Sequence, residues 1–287
     1  VPIRVWQRLG WALYAVSVLL LVLVMIPGIG REVNGATRWI PLGFFTLQGS
    51  EFVKLFAVVF LASYLASPTA RYQERLSAYL LPLGLTGLLV GMLLLQPDFG
   101  ACVVMMSAVL AMLFFAGVPM RYFLPTLLTG GLLVVVLIVL QPYRLARLIS
   151  FTDPWAHQFD GGYQLTQALI AIGRGEWFGL GLGNSVQKLF FLPEAHTDFL
   201  FSIVVEELGI AGALLVLIGF SALVIQGLLI GKRCYQSGFA FHGNLATGIS
   251  MLIGVQALIN LGVNLGLLPT KGLTLPFMSF GGNSLLV

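Results

Sequence analysis

Carboxylates, an imidazole and a hydroxyl lie close together in one short run of an otherwise strongly apolar chain. The run PEAHTDF, residues 193–199, holds Glu194, His196, Thr197 and Asp198 directly before a long apolar segment. A carboxylate or an imidazole within hydrogen-bond reach of a substrate hydroxyl can act as a general base, so this run is a candidate for proton transfer. A structural alternative stays open: Thr197 or Asp198 caps the following helix, Glu194 suits its positive end, and His196 is an ordinary interfacial histidine.

Four more ionisable residues lie within or beside apolar segments, where charges are costly and commonly functional: Lys54, Asp98, Glu206 and Glu207. Lys54 follows Glu51 by three positions, so it either forms an ion pair on one helix surface or binds an anion in a cavity. Asp98 either caps the next helix or pairs with Lys54. Glu206 and Glu207 are interpreted as structural residues that make polar contacts between helices.

Sequence patterns for several other chemistries are missing. The chain has no HxxH or CxxC metal-ligand array, no Walker phosphate-binding loop and no GxSxG nucleophile elbow. These gaps argue against an ATP-driven pump and a serine hydrolase. The Gly-rich run WFGLGLGNS, residues 177–185, has two interpretations, because glycines permit phosphate binding and also close packing in membrane proteins.

The elements that must position these side chains are membrane-spanning helices. Of 287 residues, 58% are hydrophobic and 9% are charged, against roughly 25% charged in an ordinary soluble domain. A span needs about 20 apolar residues. Long apolar runs cover residues 9–28, 51–66, 79–95, 101–117, 123–140, 199–229 and 244–266, and an eighth run is cut short at 284–287. The sequence predicts an all-α, polytopic membrane helix bundle, a single domain over residues 1–287 that is truncated at both ends.

Lysine and arginine residues are divided equally between the two predicted faces of this bundle. The face with short loops carries Arg4, Arg8, Arg71, Arg75, Arg121, Lys232 and Arg233, and the opposite face carries Arg31, Arg38, Arg144, Arg147, Arg174, Lys188 and Lys271. Because long loops steer insertion less, the short-loop face is predicted to be cytoplasmic. The loop 141–198 is unusually long, so we expect a folded, partly re-entrant periplasmic cap with a helical stretch from Thr166 to Gly173. Ser50 is predicted to cap the second span.

Several runs of sequence together resemble one protein family. They are GREVNGATRWI (30–40), QGSEFVK (48–54), QPDFG (96–100), GLGNSVQKLFFLPEAHTDF (181–199), EELG (206–209), and LPTKGLTLPF followed by SFGGNS (268–284). Over essentially its whole length the chain resembles the SEDS family, which contains FtsW, RodA and SpoVE. The form LPTKGLTLPF favours the division-specific FtsW branch. The chain departs from the family pattern at Gly49, where Pro is usual, and at Phe280 and Asn283, where Tyr and Ser are usual. We expect neither departure to abolish activity, although Gly49 loosens the helix start before Lys54.

The resemblance implies a peptidoglycan glycosyltransferase that polymerises lipid II and has ten membrane spans in the full-length protein. It places the family's key acid at Asp198 and other cavity residues at Lys54 and Asp98. In the inverting reaction that fits, Asp198 takes the proton of the acceptor 4-hydroxyl and undecaprenyl pyrophosphate leaves. Cations or a divalent metal, Mg or Mn, would stabilise the departing pyrophosphate. The expected substrate-binding residues are Lys54, Asp98, Arg38, Glu51, Glu194, His196, Lys188, Lys271 and Ser279.

The same resemblance implies partners and a location. The expected partners are lipid II, a class B penicillin-binding protein of the FtsI-like transpeptidase type, and divisome regulators of the FtsQ, FtsL and FtsB type, with no nucleic acid. The expected location is the bacterial inner membrane at the division septum. Two other functions stay open: a lipid II flippase, which broken helices would favour, and a scaffold that recruits the transpeptidase.

Overall fold

The computed structural model describes residues 2–33, 36–41, 46–68, 70–189 and 191–280. Within these residues it contains nine helices: α1 Ile3–Met25, α2 Gly49–Leu65, α3 Leu76–Leu95, α4 Phe99–Phe115, α5 Met120–Val139, α6 Pro142–Thr152, α7 Tyr163–Gly175, α8 Leu200–Gln236 and α9 Ala240–Asn264. The predicted helical architecture is confirmed, and the helical stretch predicted from Thr166 to Gly173 forms part of α7.

A small sheet, which the all-α prediction omitted, lies between α1 and α2 in the sequence. Its strands β1 Arg31–Val33, β2 Ala36–Pro41 and β3 Thr46–Gln48 pair in the order β1-β2-β3. Both pairings are antiparallel, with Arg31 opposite Trp39 and Trp39 opposite Gln48. The strands are only three to six residues long, so their apolar alternation is too short to stand out in the sequence.

Each of the seven complete predicted spans corresponds to a helix. Among the described residues, five helices are long and apolar enough to cross a membrane: α1, α3, α5, α8 and α9. Helices α2 and α4 have 17 residues each, a rise of about 25 Å, which is near the lower limit for a span. The truncated eighth segment lies outside the described residues. The chain is therefore a multi-pass membrane protein, while the number of spans stays a prediction.

The chain divides into two compact units. Among the described residues, the first unit takes those up to Leu127 together with Val224–Val255, and the second takes Leu128–Leu223 and those from Gln256 onwards. In the first unit, α1 to α4 enclose a core whose buried side chains include Tyr14, Phe60 and Leu89. Gly10 permits close packing of α1 on α2, since a Cβ at this position would lie 2.7 Å from the Cβ of Ser63.

The core of the second unit is built from the beginning of α8, the end of α9 and the stretch that follows α9. Phe201, Val205, Leu261 and Leu275 are buried together there. Helix α6 also belongs to this unit, within the loop predicted at residues 141–198. Its sequence PYRLARLISFT mixes arginines with apolar residues, so it does not stand out as a long apolar segment.

Helix α8 is broken at Gly209, whose φ of 67° and ψ of −163° are non-helical. In an unbroken helix the N–H of Ile210 would pair with the carbonyl of Glu206, and the N–H of Ala211 with that of Glu207. Residues 176–188, here called the latch, supply replacements: Leu180 and Gly181 donate to the two glutamate carbonyls at 3.0 Å each. Ile210 and Ala211 in turn donate to the carbonyls of Glu176 and Trp177 at 2.9 and 3.2 Å. The break therefore leaves none of these four backbone groups unpaired.

Candidate active site

A tight turn formed by residues 194–199 presents Asp198 in the second unit. Glu194 has a φ of 58°, and its carbonyl accepts hydrogen bonds from the N–H groups of Thr197, Asp198 and Phe199, each at 3.2 Å. The Thr197 hydroxyl donates to the Glu194 carboxylate at 2.7 Å, which stabilises the turn. Glu194 and His196 are exposed, whereas Asp198 is half-buried.

Helix α9 supports this turn with buried amide side chains at intervals of four residues. Asn260 and Asn264 both donate to the carbonyl of Asp198, at 2.8 and 3.0 Å. The side-chain oxygen of Asn264 accepts from both the N–H and the hydroxyl of Ser202, at 3.1 and 2.7 Å. Ser202 lies in the first turn of α8, and its N–H also donates to the carbonyl of Phe199 at 3.1 Å. Asn264 of α9 therefore adds a side-chain acceptor at the start of α8.

The stretch that follows α9 reaches the same turn. A Cβ placed on Gly272 would lie 3.1 Å from Oδ2 of Asp198, so this backbone passes directly beside the carboxylate. Phe280 donates its N–H to the carbonyl of His196 at 2.8 Å. The buried hydroxyl of Ser279 accepts from the N–H of Leu275 at 2.9 Å, which fixes the end of the stretch. Residues far apart in sequence thus meet around one half-buried carboxylate.

Lys188 and its neighbours in the latch contact the adjacent acids Glu206 and Glu207 of α8. Lys188 forms an ion pair with Glu207 at 2.6 Å. Glu206 is fully buried and accepts hydrogen bonds from the hydroxyl of Ser185 and from the N–H groups of Val186 and Gln187. The predicted structural role of both glutamates agrees with these contacts: the latch supplies most of the partners, and Arg174 of α7 lies 3.9 Å from the Glu206 carboxylate as a contact between helices.

Lys54 lies in the first unit, 3% exposed on α2. Its ammonium pairs with Glu51 at 2.9 Å, which confirms the predicted pair three positions apart. The predicted cap at Ser50 is wrong, because α2 begins at Gly49 with Gln48 in the capping position. The amide of Gln48 donates to the hydroxyl of Ser50.

Asp98 and Arg38 organise a second part of the first unit. Oδ1 of Asp98 accepts from the N–H of Ala101, which confirms the predicted cap of α4. Oδ2 is buried and accepts no hydrogen bond from the described residues, a costly arrangement for a carboxylate. Arg38, on β2, donates to the carbonyls of Gln96 and Pro97 at 3.2 and 2.5 Å, which ties the sheet to the turn before α4.

A divalent metal was an expectation for the departing pyrophosphate. Over the described part of the chain, no group of three or more His, Cys, Asp or Glu side chains comes together that could hold a metal ion. Protein side chains alone therefore do not fit a resident metal there, and the reaction described below includes no metal-dependent step.

Comparison with known proteins covers the whole chain. Residues 1–287 match the family described as "Cell cycle protein", FtsW/RodA/SpoVE. A relative from Marinobacter nauticus named "Probable peptidoglycan glycosyltransferase FtsW" is 53% identical, and the alignment covers 100% of this chain and 72% of the relative. One of the same name from Coxiella burnetii is also 53% identical, with 100% and 77% covered. The chain belongs to the FtsW branch of the SEDS family.

Two solved structures agree with this assignment to the SEDS family. A chain from the study titled "Structural coordination of polymerization and crosslinking by a peptidoglycan synthase complex" is similar with a TM-score of 0.79 and 32% identity, covering 100% of this chain and 79% of that one. The rod shape determining protein RodA of Thermus thermophilus is similar with a TM-score of 0.71 and 32% identity, covering 100% and 76%. The helical SEDS architecture is thus shared along the chain.

Three amides of the site were missed by the sequence analysis of this SEDS chain. Gln256, Asn260 and Asn264 lie on one face of α9, because residues four apart in a helix are neighbours. Their spacing within an apolar segment was a visible signal, since polar side chains in spans commonly make interhelical hydrogen bonds. Neutral amides carry no charge, so the criterion of ionisable residues within spans does not identify them.

Proposed function

We propose that this chain is a peptidoglycan glycosyltransferase that polymerises lipid II, with Asp198 as the general base. The observation that carries the proposal is the placement of the Asp198 carboxylate. It is half-buried, its backbone is held by two amides of α9, and the backbone at Gly272 runs beside it. A carboxylate fixed in this way is suited to accept a proton from a substrate hydroxyl.

In the proposed reaction, the 4-hydroxyl oxygen of an acceptor GlcNAc attacks the anomeric carbon of the donor sugar with inversion. Asp198 accepts the hydroxyl proton as the new C–O bond forms. The bond between the anomeric carbon and the phosphate oxygen breaks, and undecaprenyl pyrophosphate leaves with the bonding electrons. Positive groups stabilise the negative charge that develops on this leaving group.

Substrate-binding roles are proposed for the other predicted site residues. In the second unit, Lys271 precedes the glycine beside Asp198 and is proposed to contact the pyrophosphate. Lys188 is proposed to do so after leaving its ion pair with Glu207. The remaining residues of this unit with a proposed binding role are Glu194, His196 and Ser279.

In the first unit, Lys54 is proposed to bind substrate phosphate, with Glu51 holding its ammonium in place. Arg38 and Asp98 are proposed to shape the adjoining polar surface, because Arg38 joins β2 to the turn before α4 and Asp98 caps α4. Oδ2 of Asp98 is buried and accepts no hydrogen bond from the described residues, and a substrate hydroxyl that donates to it is the proposed binding contact.

The proposed partner is a class B penicillin-binding protein of the FtsI type, with regulators of the FtsQ, FtsL and FtsB type. The related chain from a peptidoglycan synthase complex supports an assembly in which polymerisation and crosslinking are coordinated. We propose the division septum of the inner membrane as the location, ten spans in the full-length protein, and residues 141–198 on the periplasmic side.

A lipid II flippase is the second candidate, and the break in α8 favours it. Discontinuous helices are common at transporter substrate sites. The four backbone hydrogen bonds of the latch argue for a sealed and rigid break in this chain. A flippase would move lipid II without forming polymer, so the two candidates differ in their product.

The test is the formation of glycan strands from purified lipid II by the full-length protein with its transpeptidase partner. Asp198→Asn removes the proton acceptor and is expected to lower the polymerisation rate by about 100-fold or more. Asp160→Asn, at an exposed carboxylate in the same predicted loop, is the matched control and is expected to keep the wild-type rate. Equal rates for wild type and Asp198→Asn would reject Asp198 as the base, and no polymer from any variant would favour the flippase or scaffold.

A further inference from the structure

Two asparagines of α9 bond the main chain of Asp198. Asn260 donates from Nδ2 to the carbonyls of Asp198 and Leu273, at 2.8 and 2.6 Å. Asn264 donates from Nδ2 to the carbonyl of Asp198 at 3.0 Å and to Asn260. The pair is 2% and 0% exposed. One amide therefore joins the turn that carries Asp198 to the stretch that follows α9.

The amide of Asn264 can adopt only one orientation in this environment. Its oxygen faces the N–H and the hydroxyl of Ser202, and an N–H can only donate. Its nitrogen faces the carbonyl of Asp198, which can only accept. A flipped amide would place two donors and two acceptors against each other. The contact to Asp198 is thus fixed by the start of α8.

Gln256 extends the same row of amides by one turn. Its Nε2 donates to the carbonyl of Thr274 at 3.0 Å, and it makes this contact four residues before Asn260. The carbonyls of Leu273 and Thr274 are therefore both held by α9. Gly272 directly precedes them and lies beside Oδ2 of Asp198. These three amides of α9 thus hold both the turn that carries the Asp198 carboxylate and the backbone next to Gly272.

We propose that Asn260 and Asn264 are positioning residues that hold the Asp198 carboxylate at its working distance from the stretch that carries Lys271. The proposal rests on the function proposed above, in which Asp198 is the base. Asn260 sets the spacing, because a single nitrogen bonds the carbonyls on both sides of the gap. Asn264 sets the position of Asp198 relative to the first turn of α8, because the same amide forms hydrogen bonds with both Asp198 and Ser202.

Loss of this positioning is expected to affect the chemical step more than substrate binding. A base displaced by about 1 Å loses rate on the order of 100-fold, whereas substrate binding through other groups is little affected. Removing either asparagine side chain is therefore expected to lower kcat by about 10- to 100-fold with KM changed by less than about threefold. A purely structural role would instead lower the amount of folded enzyme and leave kcat per folded molecule unchanged.

The experiment compares Asn260→Ala, Asn264→Ala, Asn244→Ala and Asp198→Asn in the full-length protein with its transpeptidase partner. Asn244 is the matched control, because it is a buried amide of the same helix that bonds the hydroxyl of Tyr235. Initial rates of glycan formation are measured over a range of lipid II concentrations. The melting temperature of each variant is measured in the same detergent, and rates are expressed per folded molecule.

The proposal is supported if kcat falls for both Asn260→Ala and Asn264→Ala while Asn244→Ala keeps the wild-type kcat. It is overturned if Asn260→Ala and Asn264→Ala keep the wild-type kcat, or if all three alanine variants lose activity in proportion to their loss of stability. Failure of the proposed base gives a different result, since Asp198→Asn would then polymerise lipid II at the wild-type rate. The positioning role of the asparagines and the base role of Asp198 can therefore be refuted independently.

Discussion

Replacing Gly209 by alanine tests whether the broken helix α8 needs its glycine. At φ 67° and ψ −163° the backbone lies in a region that is essentially limited to glycine, so alanine there costs about 1 to 3 kcal/mol. The new Cβ would also lie 2.4 Å from the carbonyl carbon of Trp177, which is backbone and cannot rotate away. Moving the latch strains four backbone hydrogen bonds, each worth about 1 kcal/mol net.

Together these effects predict that Gly209→Ala loses about 3 to 5 kcal/mol of stability, or about 10 °C in melting temperature. Gly219→Ala is the matched control in the same helix, because a Cβ there meets no atom within 4 Å. Alanine is the better helix former by about 0.5 to 1 kcal/mol, so the control should melt at or slightly above the wild-type temperature.

The assay is thermal unfolding of the purified full-length protein in one detergent, followed by limited proteolysis of residues 176–188. The variant is expected to be cleaved in the latch at temperatures where wild type is protected, since released loops are preferred proteolytic sites. A Gly209→Ala protein that melts within about 2 °C of wild type would refute the reasoning, because the strain and the overlap would then be absorbed without loss.

Two further predictions concern the site and the topology. Gly272→Ala should lower the polymerisation rate by up to about tenfold with little change in melting temperature, because its Cβ would lie 3.1 Å from Oδ2 of Asp198; a wild-type rate would contradict this. Cys234, which is half-buried beside the predicted cytoplasmic face, should react with a membrane-impermeant maleimide only after cells are permeabilised, while buried Cys102 stays unreactive. Labelling of Cys234 in intact cells would reverse the predicted orientation.

Local patterns in the sequence predicted local structure well. The apolar runs predicted the helices because burial in lipid requires long, uninterrupted apolar segments. The pair of Lys54 with Glu51 and the cap of Asp98 on α4 both follow from spacing of three residues along one helix. In each case the interacting groups are neighbours in the chain, so no knowledge of the tertiary fold was needed.

Contacts between distant residues could not be predicted in this way. Asn260 and Asn264 bond a carbonyl more than 60 positions earlier in the chain, and the Gly-rich latch contacts α8 about 26 positions later. No periodicity identifies such partners. In the run WFGLGLGNS, Gly179 serves close packing, because a Cβ there would lie 2.1 Å from the carbonyl oxygen of Glu207, whereas phosphate binding by the run stays a prediction.

The hydrogen bonds at the break in α8 and the bonds of Asn260 and Asn264 to Asp198 have the same physical cause. A helix start or a helix break exposes backbone groups that, in an apolar environment, must find partners within the protein. At Gly209 the partners come from the latch, and at Ser202 and Asp198 they come from α9. The position of the proposed base is therefore set by a neighbouring helix.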